Sequence, residues 1–121
     1  MELMDQFWPG PLTLVLRSRE GMPQVGPSLE TVALRMPKHD AVLMLIHEVG
    51  EAIASSSANH AGEPPPSSAE EAGQALGDEV DLILDGGRAP IGTDSTILDL
   101  SGKEPRILRE GVLTYADLFG R

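Results

Sequence analysis

The sequence, 121 residues long, contains no cysteine, which excludes disulfides, thiolate metal sites and cysteine nucleophiles together. Cations are scarce. Nine Lys and Arg stand against 19 Asp and Glu, a formal net charge of −10. That balance disfavours contact with phosphate backbones, where cations must replace counterions, and favours solubility. No apolar run approaches the roughly 20 residues that span a bilayer. The opening Met1-Glu2-Leu3-Met4-Asp5 lacks the basic start and apolar stretch of a secretory signal, so the expected location is the cytoplasm. There is no Walker phosphate loop and no glycine fingerprint for a dinucleotide. His39, His47 and His60 are not at metal-ligand spacing and read as surface or packing histidines. Asp94-Ser95 is not set in a nucleophile elbow, and no internal repeat is found.

What is present fits one domain, residues 1–121, with 40% hydrophobic residues to build a core. Leu12-Thr13-Leu14-Val15-Leu16 follows the turn Pro9-Gly10-Pro11 and reads as a buried strand. Residues 31–36 alternate by two, with Val32, Leu34 and Met36 on one face and Thr31, Ala33 and Arg35 on the other. A helix is expected from Asp40 to Val49, its stripe through Val42, Leu45, Ile46 and Val49, closed by Gly50. Residues 52–56 and 80–84 read as strands. Between them Ser67 or Ser68 signals a capped helix to about Leu76. Residues 95–100 and 105–108 read as a hairpin, and Thr114 caps a last short helix, Tyr115 to Phe119. The fold class expected is α/β (α+β): a twisted mixed sheet with helices packed on it. Residues 63–85 hold seven acids and no Lys or Arg, a pattern expected of a solvated face, with an acidic docking surface as its alternative.

Three polar clusters stand out. Thr31 and Arg35 lie on one strand face, and an Arg there is either solvated or clamping an anion, which its planar fork suits. Ser55-Ser56-Ser57-Ala58-Asn59 leaves a strand as a run of small hydrogen-bonding side chains, with Ser55 and Ser57 on one side by period two. Its alternative is a turn. The third cluster comprises Asp85-Gly86-Gly87, Gly92-Thr93-Asp94-Ser95-Thr96 and Arg109-Glu110-Gly111. There glycines permit close backbone approach to a ligand and hydroxyls and an Arg supply donors to anions.

These segments, read in order, resemble a known family. Phe7-Trp8-Pro9-Gly10-Pro11 with the strand after it, Val32-Ala33-Leu34-Arg35-Met36-Pro37, Ser57-Ala58-Asn59 with Gly62-Glu63-Pro64, Asp85-Gly86-Gly87, Asp94-Ser95-Thr96-Ile97-Leu98-Asp99 and Ile107-Leu108-Arg109-Glu110-Gly111 are similar to successive signatures of the YrdC-like family. Its best-known members are L-threonylcarbamoyl-adenylate synthases. The resemblance implies a reaction of L-threonine, bicarbonate and ATP that yields threonylcarbamoyl-AMP and pyrophosphate, feeding threonylcarbamoyl (t6A) modification of tRNA. It implies ATP contacts at Thr31, Ser57, Asn59, Pro65 and Arg109, and threonine contacts at Arg35, Ser55 and Ser95. ATP is then a substrate, and Mg²⁺ is expected beside its phosphates. No residue is assigned as general base. Double-stranded RNA binding is also described for the family, and the net charge disfavours it here.

The resemblance covers the later part of the family's domain. Family members carry an earlier stretch with strands of the sheet and a Lys and Arg pair on ATP. The expectation is therefore weak ATP binding and impaired synthase activity for this chain by itself. A sheet edge left open would be covered by a homodimer or by the missing N-terminal segment.

Overall fold

The computed structural model describes residues 2–22, 30–90 and 94–120. The chain divides into two compact units, Met1–Gly50 with Gly92–Arg121, and Glu51–Ile91.

The first unit is built on a four-stranded mixed sheet. Its strands are β1 (Leu12–Arg17), β2 (Thr31–Arg35), β3 (Thr96–Asp99) and β4 (Arg106–Arg109), in the order β2-β1-β3-β4. β1 is antiparallel to β2 and parallel to β3, and β3 is antiparallel to β4. The expected α/β class is therefore observed. Register explains which side chains are covered. Leu12 and Leu14 on β1 oppose Thr96 and Leu98 on β3, and all four are fully buried. Leu34 and Val32 extend this face through their pairing with Leu14 and Leu16, and Ile107 extends it through Leu98.

Two short helices cover that face. One, α1 (Glu2–Phe7), brings Leu3, Met4 and Phe7 onto the core, and Trp8 follows, its Nε1 donating to Leu12 O at 2.7 Å. The last helix, α4 (Tyr115–Phe119), buries Leu118. It starts in a reciprocal capping box: Thr114 Oγ1 accepts from Asp117 N, and Asp117 Oδ2 accepts from Thr114 N at 2.7 Å. The helix α2 (Asp40–Val49) follows β2. His39, expected as a surface or packing residue, is its N-cap, its Nδ1 accepting from Val42 N at 3.4 Å, and Gly50 closes the helix at φ 81°. Its expected stripe is corrected: Val42, Leu43 and Ile46 are half-buried, while Leu45 and Val49 are exposed. Periodicity finds the apolar side of a helix, but burial depends on what packs there.

The second unit contains α3 (Ala69–Leu76), capped by Ser68, whose Oγ accepts from Glu71 N. The Glu71 carboxylate reaches one residue beyond the cap, to Ser67 N at 2.8 Å. The strands expected over 52–56 and 80–84 are absent: neither segment has a ladder partner among the described residues. An apolar run becomes a strand only when a neighbour takes up its backbone groups. The seven acids of residues 63–85 are all exposed, as expected. No helix among the described residues is long and apolar enough to cross a membrane.

Candidate functional site

The face of the sheet opposite the core carries the polar residues. Arg35 on β2 pairs with Thr13 on β1, Thr13 with Ile97 on β3, and Ile97 with Arg109 on β4. One row thus crosses all four strands with a guanidinium at each end. Strict period two would place Arg109 on the core face with Ile107. An irregularity prevents this, since Ile97 opposes Arg109 while the adjacent Leu98 opposes Ile107. Leu108 is the extra residue of this bulge, and its exposure is consistent with being unpaired.

Ser95, the residue before β3, lies at the floor of the row and is 5% exposed. Its Oγ shares a 2.7 Å hydrogen bond with Thr13 Oγ1. Arg109 grips the same residue: Nη2 donates to Ser95 O at 2.8 Å and to Ser95 Oγ at 3.2 Å, and Nε donates to Ser95 O at 3.1 Å. Arg35 Nε donates to Gly10 O at 3.3 Å, and Gly10 N in turn donates to Met36 O. Partial burial of the Arg35 guanidinium, and then the charge of Arg109, hold its pKa below the ordinary arginine value. Two guanidinia that repel each other above a floor of hydroxyls form a setting that an anion relieves.

A buried hub holds this floor in place. Thr96 Oγ1 donates to Leu113 O at 2.6 Å and accepts from Gly111 N at 2.9 Å and Leu113 N at 3.0 Å. Gly111 leaves no space for a side chain, since a Cβ there would collide with Asp94 O and with the carbonyl of Ser95. The Arg109-Glu110-Gly111 motif therefore fixes the backbone that Arg109 binds.

Of the residues expected in a site, the first unit brings together Arg35, Ser95 and Arg109. Thr31 shares their face but lies at the far end of β2, opposite Arg17. It lines a hollow of about 500 Å³ with Arg17, Ser18, Glu30 and Ser101. Gly92 and Thr93 lie outside the described residues. Thr13 and Gly10 were not singled out as site residues. Thr13 was legible, being the hydroxyl in an otherwise aliphatic run and off the core face by period two.

The remaining residues belong to the second unit. Ser55, Ser57 and Pro65 are exposed. The pairing of Ser55 with Ser57 by strand period does not apply, because no strand forms there. Asn59 pins its own loop: Nδ2 donates to Glu63 O at 2.7 Å and to His60 O at 3.1 Å, beside Ala58 at φ 58°. Its Oδ1 is buried and has no hydrogen-bond partner. His60 Nε2 lies 3.1 Å from Ala75 O and 3.3 Å from Glu79 Oε1. No three His, Asp or Glu side chains gather as a metal site among the described residues.

Comparison with known proteins decides the kinship. The Sua5/YciO/YrdC family model, described as telomere recombination, matches residues 1–111. The chain belongs to the Sua5/YciO/YrdC family. Among its Sua5/YciO/YrdC relatives, the threonylcarbamoyl-AMP synthase of Pyrococcus abyssi is 43% identical over 117 residues, 96% of this chain and 34% of that protein. A relative from Mycobacterium tuberculosis strain H37Rv is 46% identical over 111 residues, 91% of this chain and 51% of its own length. The crystal structure of P. abyssi Sua5 complexed with L-threonine superposes with a TM-score of 0.85 at 43% identity, covering 93% of this chain and 33% of that one. The chain thus spans about a third to a half of the length of these relatives.

Proposed function

We propose that this chain supplies the threonine-facing and phosphate-facing wall of a threonylcarbamoyl-AMP synthase, which joins L-threonine, bicarbonate and ATP with release of pyrophosphate. The observation that carries this reading is the row of Arg35, Thr13, Ile97 and Arg109 with Ser95 at its floor. The relative crystallised with L-threonine supports an amino acid as one occupant. In this reading Arg35 holds the threonine carboxylate, and Ser95 contacts the same substrate. Arg109 faces the ATP phosphates, and Thr31 borders the nucleotide.

The chemistry is chiefly alignment and charge neutralisation. Threonine's nitrogen captures bicarbonate carbon as a carbamate, with loss of water. A carbamate oxygen then attacks the α-phosphorus of ATP, the bond to the β-phosphate bridge breaks, and pyrophosphate leaves. Two anions must approach each other, and two fixed guanidinia lower that cost in the transition state. A magnesium ion would enter as part of the nucleotide substrate, held by phosphate oxygens, and no step here depends on a protein-held ion. The reaction belongs in the cytoplasm, where tRNA is modified.

The test is a titration of L-threonine into the nitrogen-15-labelled chain. The expected result is shifts at the Thr13 and Ser95 amides and at the Arg35 and Arg109 Nε–H signals, with smaller shifts for D-threonine. A spectrum unmoved at 20-fold excess of L-threonine would overturn the assignment of the wall. Pyrophosphate release from ATP with L-threonine and bicarbonate, measured with and without the remainder of a relative's chain, then tests the reaction itself.

A further inference from the structure

Ser95 and Thr13 share a hydrogen bond, and proton counting gives its direction. Ser95 Oγ lies 3.2 Å from Arg109 Nη2 and 2.7 Å from Thr13 Oγ1. A guanidinium only donates, so Ser95 Oγ accepts from Arg109. The two hydroxyls carry two protons, and one of these lies between the oxygens. The other has no acceptor among the described residues. Were Thr13 the donor, the unused proton would sit on Ser95, which is 5% exposed, and a buried donor without a partner is costly. With Ser95 as the donor, the unused proton sits on Thr13, which is half-buried on the polar face. The second arrangement is favoured. The donors then run one way, from Arg109 through Ser95 to Thr13, and each bond polarises the next.

We propose that the Thr13 hydroxyl is a further substrate-binding group of this wall, a donor to one oxygen of a carboxylate whose charge Arg35 neutralises. Thr13 is the register partner of Arg35, and residues directly opposite on one face hold their Cβ atoms about 4.5–5.5 Å apart. Their donors therefore reach a common ligand. Arg35 Nε is engaged by Gly10 O at 3.3 Å, so its terminal nitrogens are what it offers. The guanidinium has no acceptor, and the Thr13 oxygen already takes the Ser95 proton, so an acceptor-only group fits the pair. An ionised carboxylate is such a group; an ammonium is not. Ile97, the next residue of the row, has no polar side-chain atom, which leaves Thr13 as the row's one hydroxyl. The inference rests on the synthase reading for the identity of the amino acid, and on the hydroxyl geometry for the carboxylate.

The experiment is a titration of the nitrogen-15-labelled full chain with sodium acetate, the plainest carboxylate, at an ionic strength held constant with chloride, and separately with L-threonine. The parent, Thr13→Val and Thr13→Ser are compared. In the parent, acetate is expected to shift the Thr13 and Ser95 amides and the Arg35 Nε–H signal. Thr13→Val keeps the shape and loses the hydroxyl, and should weaken both ligands about tenfold or more. Thr13→Ser keeps the hydroxyl and should stay within about threefold of the parent. Acetate that leaves these signals unmoved in the parent overturns the inference, whatever L-threonine does. Equal weakening in both variants also overturns it, and assigns Thr13 to shape alone. A Thr13→Val chain that binds acetate as tightly as the parent does the same to the proposed donor. The parent titration decides by itself should Thr13→Val not fold. Shifts with acetate but none with L-threonine would sustain the Thr13 assignment and overturn the synthase reading instead.

Discussion

Arg109 acts by geometry as much as by charge. Its Nε and Nη2 bind one carbonyl, that of Ser95, a two-point grip that a lysine ammonium on a flexible stem does not reproduce. Arg109→Lys is therefore expected to weaken threonine binding roughly tenfold, about 1.4 kcal/mol, while retaining the charge, as measured by the same titration. Carboxylates set the response to acid. Ser101 bonds hold Asp99 below the ordinary Asp value, with Arg106 adding to the effect. Thr114 N–H and O–H do the same for Asp117, and Ser67 for Glu71. With depressed folded values, the unfolded chain binds more protons, so their stabilisation is complete above about pH 4–5 and is lost as pH falls through the folded values. Asp117→Asn should lower the urea midpoint at pH 7, and the gap from the parent should close below about pH 4. A gap that stays constant with pH would show that this carboxylate does not act through its charge.

Among elements, β3 and the turn after β4 carry the site. Thr96 faces the core, yet its hydroxyl serves three backbone groups. Thr96→Val preserves shape and leaves those groups without their partner. Each unsatisfied buried group costs about 1–3 kcal/mol, so a total loss of about 3 kcal/mol is expected in denaturant unfolding. A loss under 1 kcal/mol would mean that water replaces the hydroxyl. Gly111→Ala acts on the same elements through crowding of Asp94 and Ser95, and should displace the carbonyl that Arg109 holds. It is expected to reduce threonine affinity more than Thr114→Ala, which removes a cap worth about 1 kcal/mol.

At the scale of the whole molecule, stability is unevenly distributed. Every buried residue among those described, from Gly10 to Leu118, belongs to the first unit, and α3 buries none. Local opening follows the density of buried apolar contact. Amides of α3 should exchange with deuterium well before those of β1 and β3, by about tenfold or more in rate. Equal protection of α3 and β1 would show that the second unit is held by more than its own packing. The net charge of −10 adds a second expectation: no shift of double-stranded RNA in a gel at physiological salt.

Local chemistry was legible without coordinates. Alternation at β1 and β2, Gly50 as a left-handed stop, the Thr114 cap and the hairpin around residues 101–104 all follow from neighbours within a few positions. So do Thr31 and Arg35 on one face. The missed features depend on groups far apart in the chain. Leu12–Arg17 and Arg106–Arg109 both read as strands, but pairing across β3 requires a bulge, and the bulge rather than the alternation turns Arg109 toward Arg35. Residues 52–56 and 80–84 have strand composition and form none, because a ladder needs a second backbone that composition does not supply. The amino-acid order by itself determined the local periods, the caps and the charge. Tertiary structure alone decided which face holds the two guanidinia and which apolar run is left bare, since register and burial are properties of pairs of segments and not of either segment alone.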